Sequence, residues 1–158
     1  MVYDSQLACA CAQVLVTKQD FSTREHYLNM KNCLSVLLDN GVIPVVNEND
    51  AVSVTALMFT DNDELAGMVS SMMNTDALFI LSNVDGIYTG KPGEKGSELV
   101  PEIGQGRKDL ESYVSASRSD FGRGGILTKC RVAQKTAASG TAVHIANGAR
   151  DNIITELA

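Results

Sequence analysis

No apolar run in this sequence approaches the roughly twenty residues that a membrane-spanning helix needs. The N-terminus lacks a basic flank followed by an apolar core, so no secretory leader is expected. Basic residues are scarce. With 13 Lys and Arg against 19 Asp and Glu the formal net charge is −6, which argues against a nucleic-acid surface as the main business of the chain. Histidine is scarcer still: His26 and His144 stand alone. Cys9 and Cys11 lie close together, but no further Cys or His is near enough to complete a zinc site, and Cys33 and Cys130 are isolated. Four thiols of this kind read as free, mostly buried groups in a reducing cytoplasm. The sequence also offers no Ser, Cys or His constellation for covalent catalysis, no Gly-x-x-x-x-Gly-Lys-Ser/Thr loop and no Gly-x-Gly-x-x-Gly.

What remains is an ordinary globular composition. The 158 residues are 44% hydrophobic and 20% charged, which suits one domain with a real core. Val2–Ala12 reads as a helix of small residues and Gln13–Thr17 as a short strand. Ser22 and Glu25 have capping-box spacing. Leu28, Leu34, Leu37 and Leu38 keep helical spacing behind them, so Thr23–Asn40 is expected to be an amphipathic helix that Asn40-Gly41 terminates. Ile43–Val46, Ala77–Leu81 and 142–146 are apolar, β-prone runs that alternate with helical patterns. Their order predicts a mainly parallel sheet with helices on its faces. Val54–Phe59 reads as a further β-prone segment. Leu65, Met68, Val69, Met72 and Met73 give the helix after Asp61 its apolar stripe. The stretch from Gly90 to Gly106 reads as an exposed excursion, Lys108–Val114 as a short helix, and Asn152–Ala158 as a last helix or turn.

Two clusters of polar side chains follow apolar segments. Asn47-Glu48-Asn49-Asp50 comes directly after the strand at 43–46, and Asp61-Asn62-Asp63 opens the next helix. The carboxyl edge of a parallel sheet is where open α/β folds bind ligands. One such cluster alone reads as a solvated turn; two together favour a polar ligand. Later, Gly122, Gly124 and Gly125 lead into a helix that carries Lys129 in its first turns and ends at Gly140. Backbone N–H groups and the positive end of the helix dipole suit an anion there, and Lys129 reaches toward the same place. An acidic, amide-rich loop suits an ammonium group or a metal, and a glycine–lysine helix start suits phosphate. Phosphoryl transfer to a small cationic or zwitterionic acceptor uses both, through positioning and charge neutralisation.

The motifs Asn47-Glu48-Asn49-Asp50-Ala51-Val52, Asp61-Asn62-Asp63, Asp85-Gly86-Ile87-Tyr88-Thr89 and Gly124-Gly125-Ile126-Leu127-Thr128-Lys129 closely resemble the amino-acid kinase family, over about Ala12 to Gly148. Within it they resemble the members that phosphorylate L-glutamate. The kinase half of the bifunctional pyrroline-carboxylate synthases is the one close rival. The resemblance implies a three-layer α/β/α sandwich, here incomplete, with a glutamate-loop region at about 42–63 and a nucleotide region at about 76–148. It implies transfer of the ATP γ-phosphoryl group to the side-chain carboxylate of L-glutamate, with Mg²⁺, as the first step of proline biosynthesis. By the same resemblance Asp50 and Asn62 hold glutamate, Asp63 organises the catalytic lysines, and Lys129 stabilises the transferring phosphoryl. Ser82 and Asn83 flank the nucleotide, where the family more often has Thr-Asp, and Arg123, Gly124, Gly125, Ile126, Leu127, Thr128 and Lys129 close over it. It further implies a cytoplasmic homo-oligomer in the full-length parent, with proline as feedback inhibitor.

The chain also departs from the family pattern. The catalytic-lysine strand, the glycine-rich phosphate loop and the Ser-Ser-Gly-type substrate loop that come first in the family are missing, and the first glycine is Gly41. The chain is therefore expected to be the C-terminal part of a kinase domain, and by itself inactive. Arg123 stands where the family has Thr or Ser, and Gly90-Lys91 where it has Asp. The alternative is an inactive chain of the same fold that only binds ATP or glutamate, or a subunit completed by another chain.

Overall fold

Two parallel strand pairs, each built from runs that the sequence marks as β-prone, organise the computed structural model of the chain. The structure describes residues 9–51, 59, 61–90, 92–104 and 125–158, with Leu127 described by its backbone alone. They fall into two compact units, residues 1–65 and 66–158, and the boundary lies within one helix. The expected segments 54–58 and Lys108–Val114, and the site residues Arg123 and Gly124, lie outside the described residues.

In the first unit, β1 (Cys11–Val16) pairs in parallel with β2 (Ile43–Glu48), from Cys11 opposite Ile43 to Val16 opposite Glu48. Cys11 and Ala12 therefore belong to a strand and not to the end of a helix. Small residues are locally neutral, and the ladder with β2 decides their conformation. The same ladder draws Asn47 and Glu48 into β2, where a loop was expected; it continues to Asn49, whose N–H donates to the Val16 carbonyl at 2.7 Å. A 3-10 helix at Lys18–Phe21, not anticipated from the sequence, follows β1. Thr17 is its N-cap rather than a strand residue. The Asp20 carboxylate accepts from both the Thr17 N–H and the Thr17 hydroxyl, at 2.6 and 2.9 Å.

Helix α1 (Arg24–Asp39) is capped by Thr23, one residue later than expected. The Thr23 hydroxyl accepts from the His26 N–H, whereas the Ser22 hydroxyl turns back to the Gln19 carbonyl. At the other end Gly41 is left-handed at φ +68°. The Gly41 and Val42 N–H groups return to the Leu38 and Leu37 carbonyls, as the Asn40-Gly41 pair predicts. Along the leucine stripe only Leu34 is buried, at 1% exposure, while Leu28 and Leu38 are about half exposed. Leu34→Ala is expected to destabilise the fold by about 2–5 kcal/mol and Leu28→Ala by much less. Denaturant melts of the two variants check this contrast.

Helix α2 (Asn62–Met73) runs across the unit boundary. In the second unit β3 (Ala77–Ser82) pairs in parallel with β4 (Ala142–Asn147), and Phe79 stacks on its register partner His144 with ring centroids 5.0 Å apart. Helix α3 (Ile126–Ala137) precedes β4 and packs against it, and α4 (Ile153–Leu157) follows. Buried hydroxyls close the edge where α2 meets β3. Ser70 and Thr75 share a hydrogen bond of 2.6 Å, and the Thr141 hydroxyl donates to the Thr75 carbonyl at 3.0 Å. The excursion after Gly90 is exposed only in part. It folds back through a Tyr88–Leu99 bridge, and Val100 and Ile103 pack onto a core of Ile87 and Cys130. The expectation of an α/β chain with parallel pairing holds in both units.

Candidate functional site

The acidic region of the first unit is built by two chain ends. β2 delivers Asp50, two residues after Glu48, on an exposed turn. The first turn of α2 delivers Asp61, Asn62 and Asp63. Asp61 is the N-cap expected from its spacing: its Oδ1 accepts from the Glu64 N–H at 3.0 Å. Its other oxygen, Oδ2, is buried with no hydrogen-bond partner among the described residues. A buried carboxylate oxygen left unsatisfied is costly, and a donor brought by a ligand removes that cost. Asp61 is thus a candidate that reading by residue type passes over, because a capping residue already accounts for an Asp at that position. Only the second oxygen shows the further capacity. Asn62 is exposed and Asp63 half-buried beside it.

Glu48 ties these chain ends together. Its Oε1 accepts from the Phe59 N–H at 3.0 Å, bridging eleven positions of sequence. The Phe59 ring is buried at 7% exposure, edge-on to Phe21 with centroids 5.7 Å apart. The Lys18 ammonium lies 5.8 Å from the Phe59 ring centroid and 3.3 Å from Glu64 Oε1.

The second unit presents a different edge. Ser82 ends β3 and Asn83 follows it; the Ser82 hydroxyl donates to Asn83 Oδ1 at 3.4 Å, and the Ser82 carbonyl accepts from the Gly148 N–H at 2.8 Å. Helix α3 runs back along β4, to which a short turn joins it. Its first residue, Ile126, packs on the buried pair of Ile87, just past β3, and Cys130, against which Ile145 of β4 also packs. This places the start of α3 at the carboxyl edge of the strand pair, beside the segment that follows Ser82 and Asn83. Gly125 is the N-cap, a residue with no side chain to cap the helix start. That end therefore presents backbone N–H groups and the positive end of its dipole. Thr128 and Lys129 follow in the first turns, both half-buried. Behind them burial pushes the Cys130 thiol up to about 11, so it stays protonated and inert at neutral pH. Nearby, the Tyr88 hydroxyl donates to Asp85 Oδ2 at 3.3 Å, and desolvation, with the Asp85 charge, holds its pKa above the ordinary value.

The candidate residues Asp50, Asn62 and Asp63 thus fall within the first unit, and Ser82, Asn83, Gly125, Ile126, Thr128 and Lys129 within the second. Leu127 lies between them on the α3 backbone. No helix among the described residues is long and apolar enough to cross a membrane.

Among known proteins, residues 3–147 match the amino acid kinase family. The chain is 60% identical over 148 residues to the glutamate 5-kinase of Bacteroides thetaiotaomicron, which covers 94% of this chain and 41% of that protein. It is 50% identical over 147 residues to the glutamate 5-kinase of Chlorobaculum tepidum, covering 93% and 40%, and 40% identical over 159 residues to that of Hydrogenovibrio crunogenus, covering 98% and 42%. The chain spans about two fifths of the length of these curated relatives.

Proposed function

Because the chain belongs to the amino acid kinase family, as its match over residues 3–147 establishes, we propose that it serves a glutamate 5-kinase. Its first unit contributes to glutamate binding and its second to nucleotide binding. The reaction forms a bond between a side-chain carboxylate oxygen of L-glutamate and the γ-phosphorus of ATP and breaks the bond from that phosphorus to the bridging oxygen. The products are L-glutamyl 5-phosphate and ADP. The observation that carries this reading is the 60% identity over 148 residues. A span that long omits about ten of the 158 residues (158 − 148), all at the ends, so it includes both polar clusters and the start of α3.

The residues divide the work by charge. Asp50 and Asn62 hold glutamate, and the unsatisfied Asp61 Oδ2 is an acceptor for its ammonium group. Asp63 orients the catalytic lysines. Lys129 and the uncapped start of α3 neutralise the charge that builds on the transferring phosphoryl group; positioned donors of this kind are the largest usual contribution in such reactions. Ser82, Asn83 and the Arg123–Lys129 segment flank the nucleotide. Mg²⁺ in kinase sites is held by phosphate oxygens with one or two carboxylates. No group of three or more His, Cys, Asp and Glu is gathered among the described residues. When bound, that ion supplies further charge neutralisation. The same reading makes the parent a cytoplasmic homo-oligomer of proline biosynthesis, with proline competing near Asn49–Asp61.

The test is ATP- and glutamate-dependent acyl phosphate formation, trapped with hydroxylamine, on the whole product of the gene. Acyl phosphate that requires both substrates is the expected result. None, from a folded protein that still binds ATP or glutamate, would leave a binding chain and overturn the kinase reading. Asp50→Ala is expected to raise the KM for glutamate at least about tenfold, with the KM for ATP within about twofold. An effect confined to ATP would refute the role of Asp50.

A further inference from the structure

We infer that Glu48 is a positioning residue for glutamate binding: by accepting the Phe59 amide proton, its carboxylate sets the spacing between Asp50 and the Asp61–Asp63 turn. The inference rests on the glutamate reading above and assigns that reading's specificity to a residue that contacts no substrate.

Four observations converge on Glu48. It is the last residue of β2, opposite the fully buried Val16, and it is half-buried while its neighbour Asn47 is exposed. Strand alternation has therefore turned a carboxylate inward, where it is costly unless hydrogen-bonded. Its partner is a backbone N–H eleven positions on, at 3.0 Å, a charge-assisted bond of the stronger kind. That N–H belongs to Phe59, whose buried ring is held edge-on by Phe21. Finally, the proposed substrate residues leave this one bond by equal arms. Asp50 lies two residues beyond Glu48, and Asp61, with its unsatisfied oxygen, lies two residues beyond Phe59. A single bond thus fixes both arms of the polar constellation.

Lys18 assists but does not carry the arrangement. Its pair with Glu64 is 39% and 29% exposed, in the range where ion pairs contribute little. The Glu48 bond is the one that ties the Phe59 backbone to β2.

The whole gene product is the material for the experiment, with steady-state kinetics and amide hydrogen exchange as readouts. For Glu48→Ala the expected result is a KM for glutamate raised about tenfold or more, an ATP KM within about twofold, and Phe59 amide exchange faster by a similar factor. Glu48→Gln keeps an acceptor oxygen without the charge and is expected to restore most of the glutamate KM and of the Phe59 protection. Should the alanine variant fail to fold, Glu48→Asp, one methylene short of Phe59, reads the same ratio. An alanine variant with an unchanged glutamate KM, or with unchanged Phe59 exchange, overturns the inference. So does a glutamine variant as impaired as alanine while Phe59 stays protected, since that pattern means direct charge contact with the substrate. A wild type without glutamate-dependent phosphorylation overturns the parent reading and this inference with it, whereas an active wild type with an indifferent Glu48→Ala overturns this inference alone.

Discussion

Lys129→Ala should lower glutamate-dependent acyl phosphate formation by about 10²–10³-fold while moving the thermal midpoint by no more than a few degrees. The two effects separate because of where Lys129 sits. It lies in the first turns of α3, half-buried, at a helix start whose N-cap is Gly125. Its ammonium adds to a positive potential that the backbone already creates there, and the value of that charge is realised when a phosphoryl group in transfer spreads negative charge beside it. Lys135 provides the control within the same helix. It is exposed, in the last turn of α3, where a cation complements the negative end of the dipole. Lys135→Ala should cost about 0.3–1 kcal/mol of stability and leave turnover unchanged. The pair of variants thus reverses the pattern: the first loses turnover and keeps its fold, and the second loses a little stability and keeps turnover. Single-turnover phosphoryl transfer and a thermal melt on each variant measure both quantities. Turnover near wild type in Lys129→Ala would remove Lys129 from the reaction.

What could be read in advance follows from how local each cause is. β2, β3 and β4 were legible because Ile43–Val46, Ala77–Leu81 and 142–146 are dense in apolar residues, most of them β-branched or leucine. Helix α1 and its end were legible because a leucine stripe and Asn40-Gly41 need only their own neighbours. The misplacements all lie where a distant partner decides. Cys11 and Ala12 became strand through their ladder with Ile43 and Pro44. Glu48 left the expected loop because Val16 stands opposite it and Phe59 lies within reach of its carboxylate. The choice of Thr23 over Ser22 as cap turned on a 3-10 helix whose Gln19 carbonyl takes the Ser22 hydroxyl. The site followed the same rule. Asp50, Asn62 and Lys129 can be named as candidates from spacing and motif alone, but the spare oxygen of Asp61 emerged only when burial was known. Leu28 and Leu38 show the converse: a stripe can be written correctly in the sequence and still be half exposed.

Gly67→Val should be the most damaging single substitution in the second unit away from its polar residues, and Gly67→Ala already shows why. In the interior of a helix, alanine is ordinarily better than glycine by about 0.5–1 kcal/mol. Gly67 is buried in α2, however, and a β-carbon there would lie 2.7 Å from Val132 Cγ1 and 2.9 Å from Thr136 Oγ1 on α3. Both neighbours are themselves buried, at 9% and 2% exposure, so neither can swing aside into solvent. Overpacking of this kind costs about 1–3 kcal/mol, which exceeds the propensity gain, so Gly67→Ala should be net destabilising and Gly67→Val more so. The strain must move α3 as a body, and Val132 lies one turn beyond Lys129 on that helix. The KM for ATP should therefore rise together with the loss of stability, while the KM for glutamate stays near wild type. Pairing Gly67→Ala with Val132→Ala removes the nearest obstructing methyl, and the double variant should be more stable than the sum of the two single changes by about 1 kcal/mol, measured by denaturant melts in a double-mutant cycle. A Gly67→Ala variant that melts higher than wild type would mean that α2 and α3 do not approach at this glycine, and the route from Gly67 to the start of α3 would fall with that contact.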